Sequence, residues 1–397
     1  MSSSFEVSSG RRAEAASGPV RVVGLFPDLL GIGGVQEAGR VTAAAISAIA
    51  AERGDATSFL TLNDSPGGHS FNCEGTAVQF DGFGRAKVRF VLSSLGRARG
   101  ARKGCAEIVI AAHPHLAVPA GWMRRVSPRL KIAVMAHGIE VWSTLSASRR
   151  RALQHADIVL APSSYTAGKL SEVQGVAQQK IRVVPWPLNP EFARMASEPA
   201  ALPLPDNFPG GRIVLTVGRW AASERYKGAD DLIRAVALLK AKYPDLQMVA
   251  VGGGDDVPRL AELARSLGVA DAVRFLQGLS RAQIAACYAR AELFALPSSG
   301  EGFGLVFLEA MAFAKPVMGA ATGGTTDLIQ DCVNGMLVPP RDAAKLAEAL
   351  DALLRDDSIR ISMGRAGAEL VREKYCFARF KRDLGKIVDE LIPASRG

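Results

Sequence analysis

The stretch Glu301-Gly302-Phe303-Gly304-Leu305-Val306-Phe307-Leu308-Glu309-Ala310-Met311-Ala312 decides the reading of this chain. It holds two glutamates, and a Gly-Phe-Gly turn directly follows the first. The apolar run after the turn predicts a helix, which sets Glu309 about one and a half turns in, near the positive end. A glycine-rich turn opening a helix presents free backbone N–H groups, and these bind phosphate or sugar oxygens. An ionised carboxylate only accepts hydrogen bonds and can hold a vicinal diol. A ligand with both phosphate and sugar fits such a site, which points to an enzyme using a nucleotide sugar. The bland alternative is a surface Glu followed by an ordinary buried helix.

Outward from this stretch, short β-branched runs alternate with helical patterns. Strands are predicted at 20–26, 57–62, 77–80, 108–111, 132–136, 157–161 and 181–185, with a helix at 35–53. A second series follows at 213–217, 247–251, 273–276, 293–296 and 317–319. Alternating βα units make a parallel, doubly wound sheet, and two series imply two such domains. A length of 397 residues suits that number. Residues 197–211 carry Pro199, Pro203, Pro205, Pro209 and Gly210, a linker composition. The expected plan is a disordered tail at 1–19, a first domain at 20–196, the linker, and a second domain at 212–375. A last helical segment follows at 376–397.

Composition excludes several classes. No apolar run is long enough to span a bilayer, and the Ser-, Ala- and Arg-rich start lacks the apolar core of a secretory signal. The 5 cysteines include no CxxC pair, which suits a reduced cytoplasm and argues against a structural zinc site. No Asp-x-Asp triplet occurs, which favours metal-free chemistry, and no cofactor is expected. The net charge of +9 sits almost wholly in the first half. Arg85, Lys87, Arg89, Arg97, Arg99, Arg102, Lys103, Arg124, Arg125, Arg129 and Lys131 face one acid, Glu107. This is a solvated helix face or a patch for an anionic membrane or polyanionic acceptor. Arg124, Arg125 and Arg129 represent that patch. Nucleic acid is not expected, because no recognised module and no aromatic platform accompany the charge.

Together with Lys315-Pro316-Val317, the 301–312 phrase resembles the signature of the retaining glycosyltransferases of family 4. The likeness runs from Val20 onward. It implies the GT-B fold: α/β, with two Rossmann-like doubly wound domains facing each other across a cleft, the final helix commonly crossing back to the first domain. It also implies a nucleotide diphosphate sugar donor, UDP-glucose or GDP-mannose in type, held mainly by the second domain. Family relatives often build polysaccharides on lipid carriers, so the expected acceptor is a sugar, lipid-linked, at the cytoplasmic face of the membrane.

The resemblance carries roles residue by residue. Glu309 is expected to hold the ribose hydroxyls and Glu301 the sugar hydroxyls. The N–H groups of Phe303, Gly304 and Leu305 are expected to help hold sugar and phosphate. Arg219 and Lys227 pair on the donor diphosphate, where two cations offset charge that grows as the glycosidic bond breaks. The loop 220–225 between them is longer than in many relatives, and Glu224 and Arg225 are expected on the acceptor side. Gly33 and Gly34 match the glycine loop over the diphosphate. His137 matches a histidine beside the transferred sugar. Gly278 and Leu279 match the segment against which the base stacks. His113 and His115 read as turn residues or an acceptor-side lining. Gly323-Gly324-Thr325-Thr326-Asp327 matches a Gly-Gly-x-x-Glu loop with Asp in place of Glu. Another GT-B enzyme, such as a disaccharide synthase or a nucleotide-sugar epimerase, and a non-catalytic nucleotide-sugar binder are the alternatives.

Overall fold

The computed structural model describes residues 20–99 and 106–392. The expected tail at 1–19 and two members of the basic run, Arg102 and Lys103, lie outside the described residues, as does the end of the last segment.

The chain builds two sheets. The first takes β1 (Val20–Phe26), β2 (Ala56–Thr61), β3 (Gly67–Cys73), β4 (Thr76–Gly82), β5 (Ala106–Ala111), β6 (Lys131–Met135), β7 (Ile158–Ala161) and β8 (Ile181–Val183). Their order is β3-β4-β2-β1-β5-β6-β7-β8. The second takes β9 (Arg212–Val217), β10 (Leu246–Val251), β11 (Val273–Leu276), β12 (Leu293–Leu296), β13 (Val317–Ala320) and β14 (Gly335–Val338), in the order β11-β10-β9-β12-β13-β14. Central strands such as β12, Leu-Phe-Ala-Leu, are buried at every position. Helices cover both faces of a parallel sheet, so its strands read as continuous apolar runs rather than alternating ones.

Two strands differ from the expected set. β3 is antiparallel to β4, and its Gly-Gly-His-Ser-Phe-Asn-Cys sequence is exposed at the sheet edge. With one neighbouring strand, and only Phe71 and Cys73 turned towards the core, it needs no continuous apolar run. β14 is four residues long and pairs only with β13.

In each sheet the strand order reverses beside its first strand, between β1 and β5 and between β9 and β12. The helices leaving neighbouring strands there run to opposite faces, which opens a crevice at the carboxyl ends. The loops at 27–33, 112–116, 218–228 and 297–304 issue from these four strands.

The last helix, Phe377–Leu391, leaves the second sheet and packs on Gly34–Arg53 beside the first. Arg53 pairs with Asp389 at 2.7 Å and Lys381 with Glu52 at 2.5 Å. Phe380 meets Trp186 edge to face, with ring centroids 6.0 Å apart. Among the described residues no helix is long and apolar enough to cross a membrane.

Candidate functional site

Glu301 lies in the loop after β12, and the backbone beside it is fixed by contacts with the other sheet's loops. Gly302 lies against Gly138, and its carbonyl accepts from the Ser163 hydroxyl at 2.9 Å. Gly138 has φ +146°, and a Cβ there would sit 2.4 Å from the Cα of Gly302. Only glycine serves at such a contact. A second tie is the Ser164 N–H, which donates to Asp327 at 2.5 Å. Burial raises the Glu301 carboxyl above its usual range, while Lys227 and the N–H groups of Phe303 and Gly302 draw it down.

Gly304, in the left-handed region, opens the helix Leu305–Ala312, and no side chain caps it. Its first N–H groups are left for a ligand. Glu309 sits one turn in and accepts from the buried Tyr288 hydroxyl at 2.8 Å. Burial pushes its carboxyl from 4.5 up to about 7; the Tyr288 hydroxyl and Arg281 oppose this and Glu37 adds to it. The folded state therefore holds this proton more tightly than the unfolded chain. The stability it contributes is fully present below pH 4.5 and is lost as pH rises through about 7.

Arg219 follows β9, and Lys227 ends the tight helical turn Ala222–Lys227. Gly228 comes next at φ +76°, with a would-be Cβ 2.5 Å from the Pro297 carbonyl, so Lys227 is fixed beside the 297–301 loop. The turn at Gly252–Gly254 supports Arg219 from below: Trp220 N–H donates to the Gly253 carbonyl at 2.9 Å. Burial lowers the Lys227 ammonium, against the pull of the Glu301 charge.

Glu224 and Arg225 are not where the sequence reading put them. Arg225 pairs with Asp256 at 2.8 Å, in a network where Arg259 joins Asp256 to Asp230. Glu224 turns inward and bonds both Arg219 and Lys227. The cause is local: the backbone leaves helical geometry at Glu224, with φ −120° and ψ 26°.

On the other wall, Gly33 and Gly34 open Gly34–Arg53 with no side-chain cap. Glu37, in its first turn, bonds Arg40 and Asn189 and reaches Arg281 of the second sheet's layer at 3.3 Å. Arg281 starts a helix just after Gly278 and Leu279, behind a Ser280–Gln283 capping box. His137 Nε2 donates to the Ala112 carbonyl at 2.7 Å, which leaves Nδ1 as the ring nitrogen without that tie. His113 is a turn residue: its Nδ1 accepts from the His115 N–H at 3.3 Å. Burial pushes His113 down to about 2 and His115 down to about 4. Both rings are uncharged at neutral pH, and the nearby positive charge comes from Arg149 and Lys87.

Of the surface trio, Arg125 and Arg129 are exposed. Arg124 is committed to the fold, bonding the Leu130 and His155 carbonyls and Asp157. The sequence reading did not single out Glu37, Arg281 or Arg149, and it named Glu224 for the acceptor side rather than as a partner of Arg219 and Lys227. Only Glu224 left a trace, as a Glu three positions before a Lys. Among the described residues, no group of three or more His, Cys, Asp or Glu is placed to hold a metal ion.

A crevice of two facing sheets, with cations and carboxylates at the strand ends, defines a nucleotide-sugar type of GT-B protein. Residues 205–370 match the family described as glycosyl transferases group 1, and residues 38–192 match glycosyltransferase family 4. The chain belongs to the group 1, family 4 glycosyltransferases. It is similar to the GDP-mannose-dependent alpha-(1-6)-phosphatidylinositol monomannoside mannosyltransferase of Mycobacterium tuberculosis. The two are 32% identical over 263 residues, 63% of this chain and 67% of that protein. The D-inositol 3-phosphate glycosyltransferase of Corynebacterium jeikeium is 36% identical over 190 residues, 46% of this chain and 44% of that one. That of Kribbella flavida is 35% identical over 226 residues, 55% and 53%. The chain thus spans about half the length of the D-inositol 3-phosphate glycosyltransferases it matches. Among solved structures, HepE of Anabaena with UDP superposes with a TM-score of 0.72 at 19% identity, covering 94% of this chain and 100% of that one. Sucrose-phosphate synthase of Thermosynechococcus elongatus gives 0.75 at 22%, covering 95% and 100%.

Proposed function

We propose that this protein is a retaining hexosyltransferase. It moves a sugar from a UDP- or GDP-linked donor to a phosphate-bearing acceptor at the cytoplasmic face of a membrane. The observation that carries the reading is the convergence of Arg219 and Lys227 with Glu301, in the loop that leads into the Glu309 helix, at the switch point of the second sheet. Glu309 takes the ribose diol, and Glu301 takes sugar hydroxyls and faces the positive charge that develops at the anomeric carbon. Gly33, Gly34, Phe303, Gly304 and Leu305 offer backbone to the diphosphate and sugar, and Gly278 and Leu279 flank the base. Arg219 and Lys227 stabilise the departing diphosphate, whose negative charge rises in the transition state. That phosphate takes the acceptor's proton on the same face, and His137 borders the reacting carbon. No metal enters the scheme.

Donor binding is the test. Thermal melting with UDP- and GDP-sugars should rise with one nucleotide class, since a ligand of the native state stabilises it by mass action. The shift should weaken as pH falls through about 7, because Glu309 gains a proton and loses acceptor capacity. Glu309→Gln should abolish the shift yet melt higher than the native chain above pH 7 without ligand. No shift with either class at any pH would count against the reading.

The phosphate-bearing acceptor is supported by Lys87 and Arg149 around His115 at the end of β5, and by the relatives named for inositol phosphate and phosphatidylinositol mannoside acceptors. Membrane contact is supported by the helix Lys87–Arg99. Its Val88 and Leu92 are 73% and 63% exposed, with Arg89 and Arg99 exposed beside them. It packs on Ala117–Val126, whose Trp122 and Arg125 are also exposed. Each basic side chain contributes about 1 kcal/mol near an acidic lipid surface. The variant Leu92→Ser/Arg125→Ser/Arg129→Ser should sediment less with phosphatidylglycerol vesicles and melt as the native chain does. Equal sedimentation would refute membrane contact at this face.

A further inference from the structure

Glu224 is an unusual neighbour for two cations that meet a diphosphate. Its side chain is 10% exposed and contacts both: one oxygen bonds the Arg219 guanidinium, and the other lies 2.9 Å from the Lys227 ammonium. Lys227 is 16% exposed and Arg219 72%. The position is built rather than accidental. The Glu224 N–H donates to the Ala221 carbonyl at 2.8 Å, and the Ala222 N–H is held by Asp255 at 2.8 Å. The departure from helical geometry at Glu224 is what aims its side chain at Lys227.

Charge balance gives the consequence. Arg219 and Lys227 carry two positive charges, and Glu224 and Glu301 carry two negative ones when ionised. With both carboxylates ionised, these four charges cancel. A nucleoside diphosphate brings at least two more negative charges. A mostly buried carboxylate left between the same two cations would repel it strongly in a low-dielectric cleft. A lysine ammonium has three donors, and burial leaves few directions open to them here.

We propose that Glu224 is a stand-in for the donor phosphate. Its carboxylate occupies the Arg219 and Lys227 contacts in the empty cleft, keeps both side chains aimed, and is exchanged for the diphosphate in each turnover. This rests on the nucleotide-sugar reading above. It makes Glu224 a positioning residue that also weakens the hold on the nucleotide product. A carboxylate with a merely structural role would not compete with phosphate.

The test is calorimetric binding of UDP, GDP and inorganic pyrophosphate to the native chain and to Glu224→Gln. The amide keeps the shape and removes the charge. The nucleotide the native chain prefers should bind about tenfold more tightly to the variant, equivalent to ~1.4 kcal/mol. Pyrophosphate should gain similarly, whereas the matching nucleoside, which lacks phosphate, should not. Glu224→Asp, which keeps the charge, should not tighten. If Glu224→Gln fails to fold, Glu224→Ala carries the same expectation. Unchanged or weaker diphosphate binding by a folded variant would overturn the proposal while leaving the nucleotide-sugar reading intact. If the native chain binds neither UDP nor GDP, both fall.

Discussion

Replacing Lys227 by Met should lower kcat/KM by a factor of about 10² to 10³, the loss typical of one preorganised group facing transition-state charge. Two effects add. The departing diphosphate loses a cation when its charge is greatest, which lowers kcat. Glu224 and Glu301 also lose the ammonium that lies beside them, leaving two partly buried carboxylates near an incoming anion. Donor affinity should therefore fall as well. The two effects separate in the double variant Lys227→Met/Glu224→Gln. Removing the surplus negative charge should restore much of the donor affinity and little of kcat. Steady-state kinetics with the donor identified by melting checks this. A single variant within threefold of the native kcat/KM would exclude Lys227 from the reaction.

Gly138→Val should cost about 10² in turnover, comparable to the effect of shifting a reacting group by an ångström. A Cβ at Gly138 meets the Gly302 Cα at 2.4 Å, and the reverse substitution meets the His137 carbonyl at 2.5 Å. Neither neighbour is a flexible side chain, so both backbones must part. Glu301 precedes Gly302 and His137 precedes Gly138, so the displacement falls on two site residues together. Valine also resists φ +146°, which adds strain. Circular dichroism should remain native, because the contact lies in loops outside both sheets. Full activity in a folded variant would mean that the two loops need not touch during catalysis.

Much of the fold was legible because parallel strands buried on both faces advertise themselves. Val-Arg-Val-Val-Gly-Leu-Phe and Leu-Phe-Ala-Leu are apolar runs too short for helices. β3 escaped because an exposed edge strand carries no such run, and β14 because four residues that start at Gly335, directly after Asn334, look like the end of a loop. In the site, the two glutamates and the Arg–Lys pair were readable because each lies in a short local phrase. The roles of other groups depend on contacts between distant segments. Glu37 and Arg281 are 244 positions apart, and no spacing rule connects them. Glu224 was visible as a residue and not as a counterion, because its direction follows from a backbone kink that composition does not encode. His113 and His115 differ in role although they are two positions apart, because one caps the turn that carries the other.

The chain passes between its two halves twice, once before β9 and again before Phe377–Leu391 returns to Gly34–Arg53. Two separate crossings act as two pins on one door. A body held at one point can swivel in any direction, but a body held at two turns chiefly about the line that joins them. A rotation of the halves about that line would change the Arg281–Glu37 and Gly302–Gly138 contacts together. A ligand that favours one setting of that rotation moves every group of the cleft at once, and the fastening beside Asp389 and Glu52 sets how stiff the pivot is.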